Sequence, residues 1–338
     1  MRANMKYDVL GIGNAIVDTE IRIEDQFLQE NQLQKGLMTL SSSDEQSFIL
    51  KQLREFTQSN AAGGSAANTV VGISQFGGTT SFIGKVGTDR NGDLYRESMT
   101  DNGVQFAPAY NHQESTGSCV VLVTPDGERT MQTNLAASAT LNSEDIDLST
   151  LTASTTIYVE GYLYSSPSAQ TAATLAMKMA RDRNIKVALT LSDPGIVTNF
   201  MDPLKNAVEN FTDILFCNEH EAEIFSGSND RTLQLQMLGR HVQLVFMTCG
   251  ADGTMVFDNG QIYSLPGYNV DVVDTTGAGD IFAAGVLFGL SKNMSIQESA
   301  QIGLFASAKI VTQRGPRLKE SLTISTESIL KGAHPSDT

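Results

Sequence analysis

Tryptophan is absent, cysteine occurs three times and proline eight times in 338 residues. The three thiols, Cys119, Cys217 and Cys249, are odd in number and have no C-x-x-C spacing. That argues against a disulfide framework or a zinc site and suits a reducing compartment. Each lies within or at the end of an apolar run, so ordinary buried thiols are expected. Basic residues are also scarce: 23 Lys and Arg stand against 38 Asp and Glu, a net charge of −15. The positive field needed for non-specific binding to nucleic acid or anionic membrane is therefore missing. The longest apolar-and-glycine stretch, Ile281 to Leu290, is too short to span a bilayer. Residues 1–7 lack the apolar core of a signal peptide, so a soluble, cytoplasmic protein is expected. With 41% hydrophobic residues and 29 glycines, the composition is that of a folded globular chain.

The most informative string is Val273-Asp274-Thr275-Thr276-Gly277-Ala278-Gly279-Asp280, followed by an apolar run. It predicts an extended segment over 269–273, a turn of small residues, then a helix. A helix start leaves backbone N–H groups without intrahelical partners, and its dipole favours negative charge there. Gly277, Ala278 and Gly279 carry too little bulk to keep a phosphate away. Asp280, in the first turn, sets a carboxylate on the rim of that anion site. The pairing suggests phosphoryl transfer to a hydroxyl. The ordinary alternative is a glycine turn whose Asp merely complements the helix dipole.

Tyr7 to Gly13 reads as a buried strand, and Gly11-x-Gly13 has the start of a dinucleotide-binding turn. Ile16 stands where the third glycine belongs, and Thr19 to Ile23 alternates like a strand, so that fingerprint fails. Asn14 and Asp18, just past the strand end, are candidate ligand contacts. Residues 118–123 and 128–133 form a hairpin turned by Pro125-Asp126-Gly127. Segments of about 15–42 and 104–135 then suggest a small β-rich lid on one unit spanning 1–338. Ala61 to Thr69 holds a second glycine turn, with Gly64 in it and Asn68 one turn into a helix that runs to about Phe76. Beyond about residue 154, strands at 156–159, 186–191, 213–216 and 244–248 alternate with helices at 168–183, 197–209 and from 219. Further helices are expected near 295–312 and 321–331, with a frayed tail from 334. Such alternation predicts a mostly parallel sheet covered on both faces. Asp89 to Asp93 is no EF-hand loop, because Thr100 stands where the Glu ligand is needed. A Walker A loop is absent: Gly84-Lys85 runs into Val86.

Asp213 to Glu221 is an apolar strand ending in Asn218-x-x-Glu221. One reading is a helix cap with its capping-box partner. The other is one amide and one carboxylate holding a Mg2+ ion that keeps most of its waters. Thr248-Cys249-Gly250-Ala251-Asp252-Gly253 is a glycine-rich turn after a buried strand.

D-T-x-G-A-G-D before a small-residue helix, the N-x-x-E pair sixty residues earlier and the motifs Gly-Ile-Gly-Asn-Ala-Ile-Val-Asp and Gly-Gly-Ser-Ala-Ala-Asn together resemble the ribokinase-like (PfkB) family of sugar and nucleoside kinases. The resemblance runs from Gly11 to about Gly315, and within the family the look is that of adenosine kinases. It implies a ribokinase-like three-layer α/β/α domain, with a mostly parallel central sheet and a small β-sheet lid. It also implies phosphorylation of a ribose-containing small molecule, adenosine first, using ATP and Mg2+. Asp280 would be the base, Gly277, Ala278 and Gly279 the anion hole, and Arg129 would approach the phosphate from the lid. Asn14, Asp18, Gly64 and Asn68 would hold ribose hydroxyls, and Tyr162 would stack on the purine. Asn218, Thr248, Gly250, Gly253 and Thr275 would meet ATP, with Glu221 and Asn218 holding the metal through water. Residues 274–276 and 313–315 match a region where some relatives bind K+. One departure is Met38, which cannot donate the glutamine-type contacts that adenosine kinases make from this lid segment. A ribokinase- or fructokinase-like sugar kinase and a non-catalytic nucleoside-binding regulatory protein are the alternatives. Monomer and homodimer both remain open.

Overall fold

The computed structural model describes residues 6–319 and 326–337. Among them, sixteen strands form three sheets. In chain order they are β1 (Tyr7–Ile12), β2 (Ile16–Arg22), β3 (Met38–Leu40), β4 (Gln58–Ala62), β5 (Thr80–Ile83), β6 (Lys85–Gly87), β7 (Val104–Phe106) and β8 (Ala109–Asn111). They continue as β9 (Gly117–Val123), β10 (Arg129–Asn134), β11 (Ser154–Glu160), β12 (Lys186–Thr190), β13 (Ile214–Asn218), β14 (Leu244–Thr248), β15 (Thr254–Asp258) and β16 (Gln261–Leu265).

The largest sheet has nine strands in the order β16-β15-β14-β13-β12-β11-β1-β5-β7. Pairing is parallel from β14 to β7, while β15 and β16 add an antiparallel edge. Side chains alternate across a strand, so a strand buried on both faces must be apolar at both phases. Leu10, Ile12, Ile157, Val159, Leu189 and Leu215 face one side, against Ala169, Ala172, Ala173 and Ala176 of the helix Pro167–Arg181. Val9, Tyr158, Ala188, Phe216 and Phe246 face the other, against the helices Ser65–Gln75 and Ala278–Ser291. The latter helix lies close to Ile296–Val311, since a Cβ on Gly285 would come 2.7 Å from the Gly303 Cα. This confirms the expected ribokinase-like α/β architecture, with helices on both faces of the sheet.

The second sheet has the order β3-β10-β9-β2-β4. Its limbs differ from the expected segments. Val104–Phe106 pairs with β5 in the large sheet, burying Val104 and Phe106, so the second limb begins at β9. The first limb continues past residue 42 through a helix, Ser43–Gln52, to β4. Ser42 and Glu45 form a capping box at that helix start, and Ile49 and Leu53 cover Ile21, Val120 and Leu122. Gln46 donates to the carbonyls of Ser118 (3.0 Å) and Gln132 (2.7 Å), tying the helix across two strands.

Residues 269–273, expected to be extended, join no sheet: Val272 and Val273 are exposed, and the Val273 N–H donates to the Val311 carbonyl. Of the helix expected over 321–331, Thr326–Leu330 is present, and 320–325 lie outside the described residues. The tail is not frayed throughout, because Pro335–Asp337 forms a 3-10 turn and the His334 ring packs edge-on to Tyr268.

Candidate active site

A cleft of about 440 Å3 lies between the inner face of the five-stranded sheet and the carboxyl ends of β1, β11, β12, β13 and β14. Open α/β sheets bind ligands at that end of their parallel strands. The structure brings every site residue picked from the sequence to this cleft except Gly250 and Gly253. Gly253 has positive φ (97°), and a Cβ there would collide with the Leu265 carbonyl. It shapes the turn of the β14–β15 hairpin.

The helix Ala278–Ser291 starts at Gly277, whose φ of 74° is strained for residues with a side chain. A Cβ on Gly277 would stand 2.5 Å from the Pro316 carbonyl oxygen, whereas one on Gly279 would meet nothing within 4 Å. Gly277 therefore shapes the turn, and Gly279 leaves its surface open. Asp274 pins this turn by accepting from the Thr276 N–H (2.9 Å), the Thr276 hydroxyl (2.7 Å) and the Gly315 N–H (2.9 Å). Burial raises the Asp274 pKa, but these donors and Arg129 outweigh it and hold the carboxylate below its ordinary range. The bond from Gly315 brings segments 274–276 and 313–315 together.

Asp280 accepts from the Ser65 hydroxyl (2.6 Å) and the Asn68 amide (3.0 Å). Enclosure in the cleft pushes its pKa up to about 6, against the pull of Ser65, Asn68 and Arg317. Asn68, expected at the ribose, is committed at both ends, because its Oδ1 accepts from Arg317 Nε at 2.9 Å. Asp18 is also pushed to about 6 by burial, opposed by Arg129 and Arg317. Asn14 is 2% exposed and its Nδ2 has no partner. A Cβ on Gly64 would collide with the Asn14 carbonyl, which explains the glycine there.

Two residues of the site were missed by sequence reasoning. Glu160 Oε1 accepts the Asn14 N–H and Oε2 the Ala66 N–H, both at 2.8 Å, and burial pushes the carboxyl to about 7. A charge directly after the apolar Ile157-Tyr158-Val159 of β11 was its available signal. Arg317 had none, since it lies in a loop joined to the site only by folding.

Arg129 reaches from β10 to Asp274 (3.1 Å) and approaches Glu20 (3.7 Å). Asn218 and Glu221 form a capping box: the Asn218 N–H and Nδ2 donate to the two Glu221 carboxylate oxygens, and the Glu221 N–H donates to Asn218 Oδ1. Both also line the cleft, and burial pushes Glu221 to about 8. Among the described residues no group of three or more His, Cys, Asp or Glu gathers at one point. One carboxylate with unused lone pairs beside an amide fits a magnesium ion that keeps most of its waters.

The model of the pfkB family carbohydrate kinase matches residues 38–322. Fructokinase of Escherichia coli is 32% identical over 241 residues, 68% of this chain and 76% of that protein. Adenosine kinase 2 of Arabidopsis thaliana is 26% identical over 340 residues, 93% and 97% of the two chains. The solved adenosine kinase of Sinorhizobium meliloti has a TM-score of 0.90 at 34% identity, covering 97% of this chain and 100% of that one. A probable sugar kinase of Rhizobium etli gives 0.90 at 30%, covering 97% and 98%. No helix among the described residues is long and apolar enough to cross a membrane. With D-T-T-G-A-G-D at the start of its cleft helix and the family matched over most of its length, the chain belongs to the PfkB carbohydrate kinases and is an ATP-dependent kinase.

Proposed function

We propose that this kinase phosphorylates the 5′-hydroxyl of adenosine. One observation carries the reading: Asp280, held by Ser65 and Asn68 beside the open Gly279 surface, shares a cleft with Asp18 and with an apolar lid wall. Ile16, Met38, Leu40, Met131 and Leu135 form that wall with Tyr162, a surface suited to a flat base that a bare sugar would leave unused. The two Asp18 oxygens suit the two vicinal ribose hydroxyls.

Asp280 accepts the proton of the attacking hydroxyl as the 5′-oxygen bonds to the γ-phosphorus and the bond from that phosphorus to the β–γ bridging oxygen breaks, giving the 5′-phosphate and ADP. A carboxylate of pKa about 6 is a modest base, and a loose phosphoryl transfer asks mainly that it align the hydroxyl. N–H groups of the 277–279 turn stabilise charge on the transferring group. Arg129 adds a positive charge from the lid once it leaves Asp274, and lid closure excludes water. Glu221 and Asn218 would hold magnesium through its waters, where the ion neutralises phosphate charge.

A coupled ADP assay over adenosine, other nucleosides, ribose and fructose tests the acceptor. The highest kcat/KM for adenosine supports the reading; a higher value for ribose or fructose overturns it and leaves a sugar kinase. Exchanging Na+ for K+ in the same assay tests monovalent-ion activation.

A further inference from the structure

We propose that Arg317 is a positioning residue for phosphoryl transfer, acting through Asn68 to keep Asp280 oriented and ionised. The inference rests on Asp280 being the base. A carboxamide has one accepting and one donating end, and either can point at a neighbour. Arg317 is a donor only. Its Nε–H at 2.9 Å from Asn68 Oδ1 forces Asn68 Nδ2 toward Asp280 Oδ2, where it donates at 3.0 Å. The guanidinium is in turn fixed by the helix Arg90–Asp101, with Nη1 donating to Ser98 Oγ at 3.0 Å and Nη2 near Met99 Sδ at 3.9 Å. Arg317 stands behind Asn68, off the cleft lining, so it meets Asp280 through that amide.

Without Arg317 the amide is free to turn and present Oδ1 to the carboxylate, an arrangement that only protonated Asp280 tolerates. Other groups around Asp280 reinforce this. Asp18 faces it from β2, Tyr158 and Glu160 from β11, and Tyr162 from the turn that follows. The helix Ser65–Gln75 offers only the neutral Ser65, Asn68 and Thr69. The Arg317 charge favours ionised Asp280 from behind Asn68 and, with Arg129, favours ionised Asp18; Tyr95 also faces Arg317 from the helix Arg90–Asp101.

The test compares wild type, Arg317→Met and Arg317→Lys by the pH profile of kcat/KM and by carbon NMR titration of the Asp280 carboxyl in ligand-free protein. The acid limb and the Asp280 titration should both move up by about one pH unit in Arg317→Met. Lysine should recover part of that shift, and the KM for ATP should stay unchanged. An unmoved Asp280 titration overturns the proposal, even if turnover falls, since a purely structural role predicts that result. Should Arg317→Met not fold, Ser98→Ala removes one anchor and should shift the titration the same way by a smaller amount. Full turnover by Asp280→Asn would refute the base assignment instead, and the NMR arm would still decide whether Arg317 orients the amide.

Discussion

Two glycines of one turn separate shape from function at the scale of single residues. Gly277→Ala forces a side chain into φ 74° and toward the Pro316 carbonyl, and should cost about 1–3 kcal/mol in denaturant unfolding. Gly279→Ala meets no neighbour, so the fold should be retained. In the proposed anion hole its methyl group would intrude on the phosphoryl group, and kcat should fall about 10²-fold. Equal loss of stability in both variants would refute the distinction. Asp280→Asn should fold and bind nucleoside while losing roughly 10²–10⁴-fold in kcat. For the wild type, activity should fall as pH drops through about 6, because Asp280 then takes up a proton.

Among the elements, the helix Ser43–Gln52 decides what the five-stranded sheet can do. It covers one face of that sheet and leaves the other, with Asp18, Cys119, Arg129 and Met131, to the cleft. Ile49 is 4% exposed, and Ile49→Ala should cost about 2–5 kcal/mol locally. Faster hydrogen exchange at the Val120 and Leu122 amides, with Val245 in the large sheet unchanged, would show that the lid opens as its own unit. A uniform rise across both sheets would show a single cooperative body.

For the whole molecule, buried carboxyls set the pH window of stability. Asp18, Glu160, Glu221 and Asp280 have raised pKa values of about 6, 7, 8 and 6. Each contributes stability that is full below its unfolded value of about 4 and is lost as pH rises through the folded value. Asp274, Asp89 and Asp147 are lowered, and their contribution is lost below about pH 4. Ligand-free protein should therefore be most stable near pH 4, and its Tm should decline from pH 5.5 to 8.5. A Tm that rises over that interval would contradict these burials. With Asp280 as the proposed base, activity is expected above pH 6, where the buried carboxyls cost the fold most.

The sequence by itself determined the local devices. Strand–helix alternation, the Gly277–Gly279 turn with Asp280 in the first helical turn, and the Asn218–Glu221 cap all lie within a few residues of one another. Short-range propensity and backbone geometry therefore specify them. Tertiary structure alone decided the partners. Glu160 and Asn14 lie 146 residues apart, and Arg317 and Asn68 are 249 apart. Those bonds exist because parallel crossovers deliver strand ends and loops to one edge of the sheet. The large sheet also claimed Val104–Phe106, where pairing with β5 and burial of two apolar side chains outweighed its closeness in sequence to the 118–133 hairpin. Residues 269–273 went the other way: two exposed valines have strand propensity, but no neighbouring strand is there to pair with them, and propensity without a partner makes no strand.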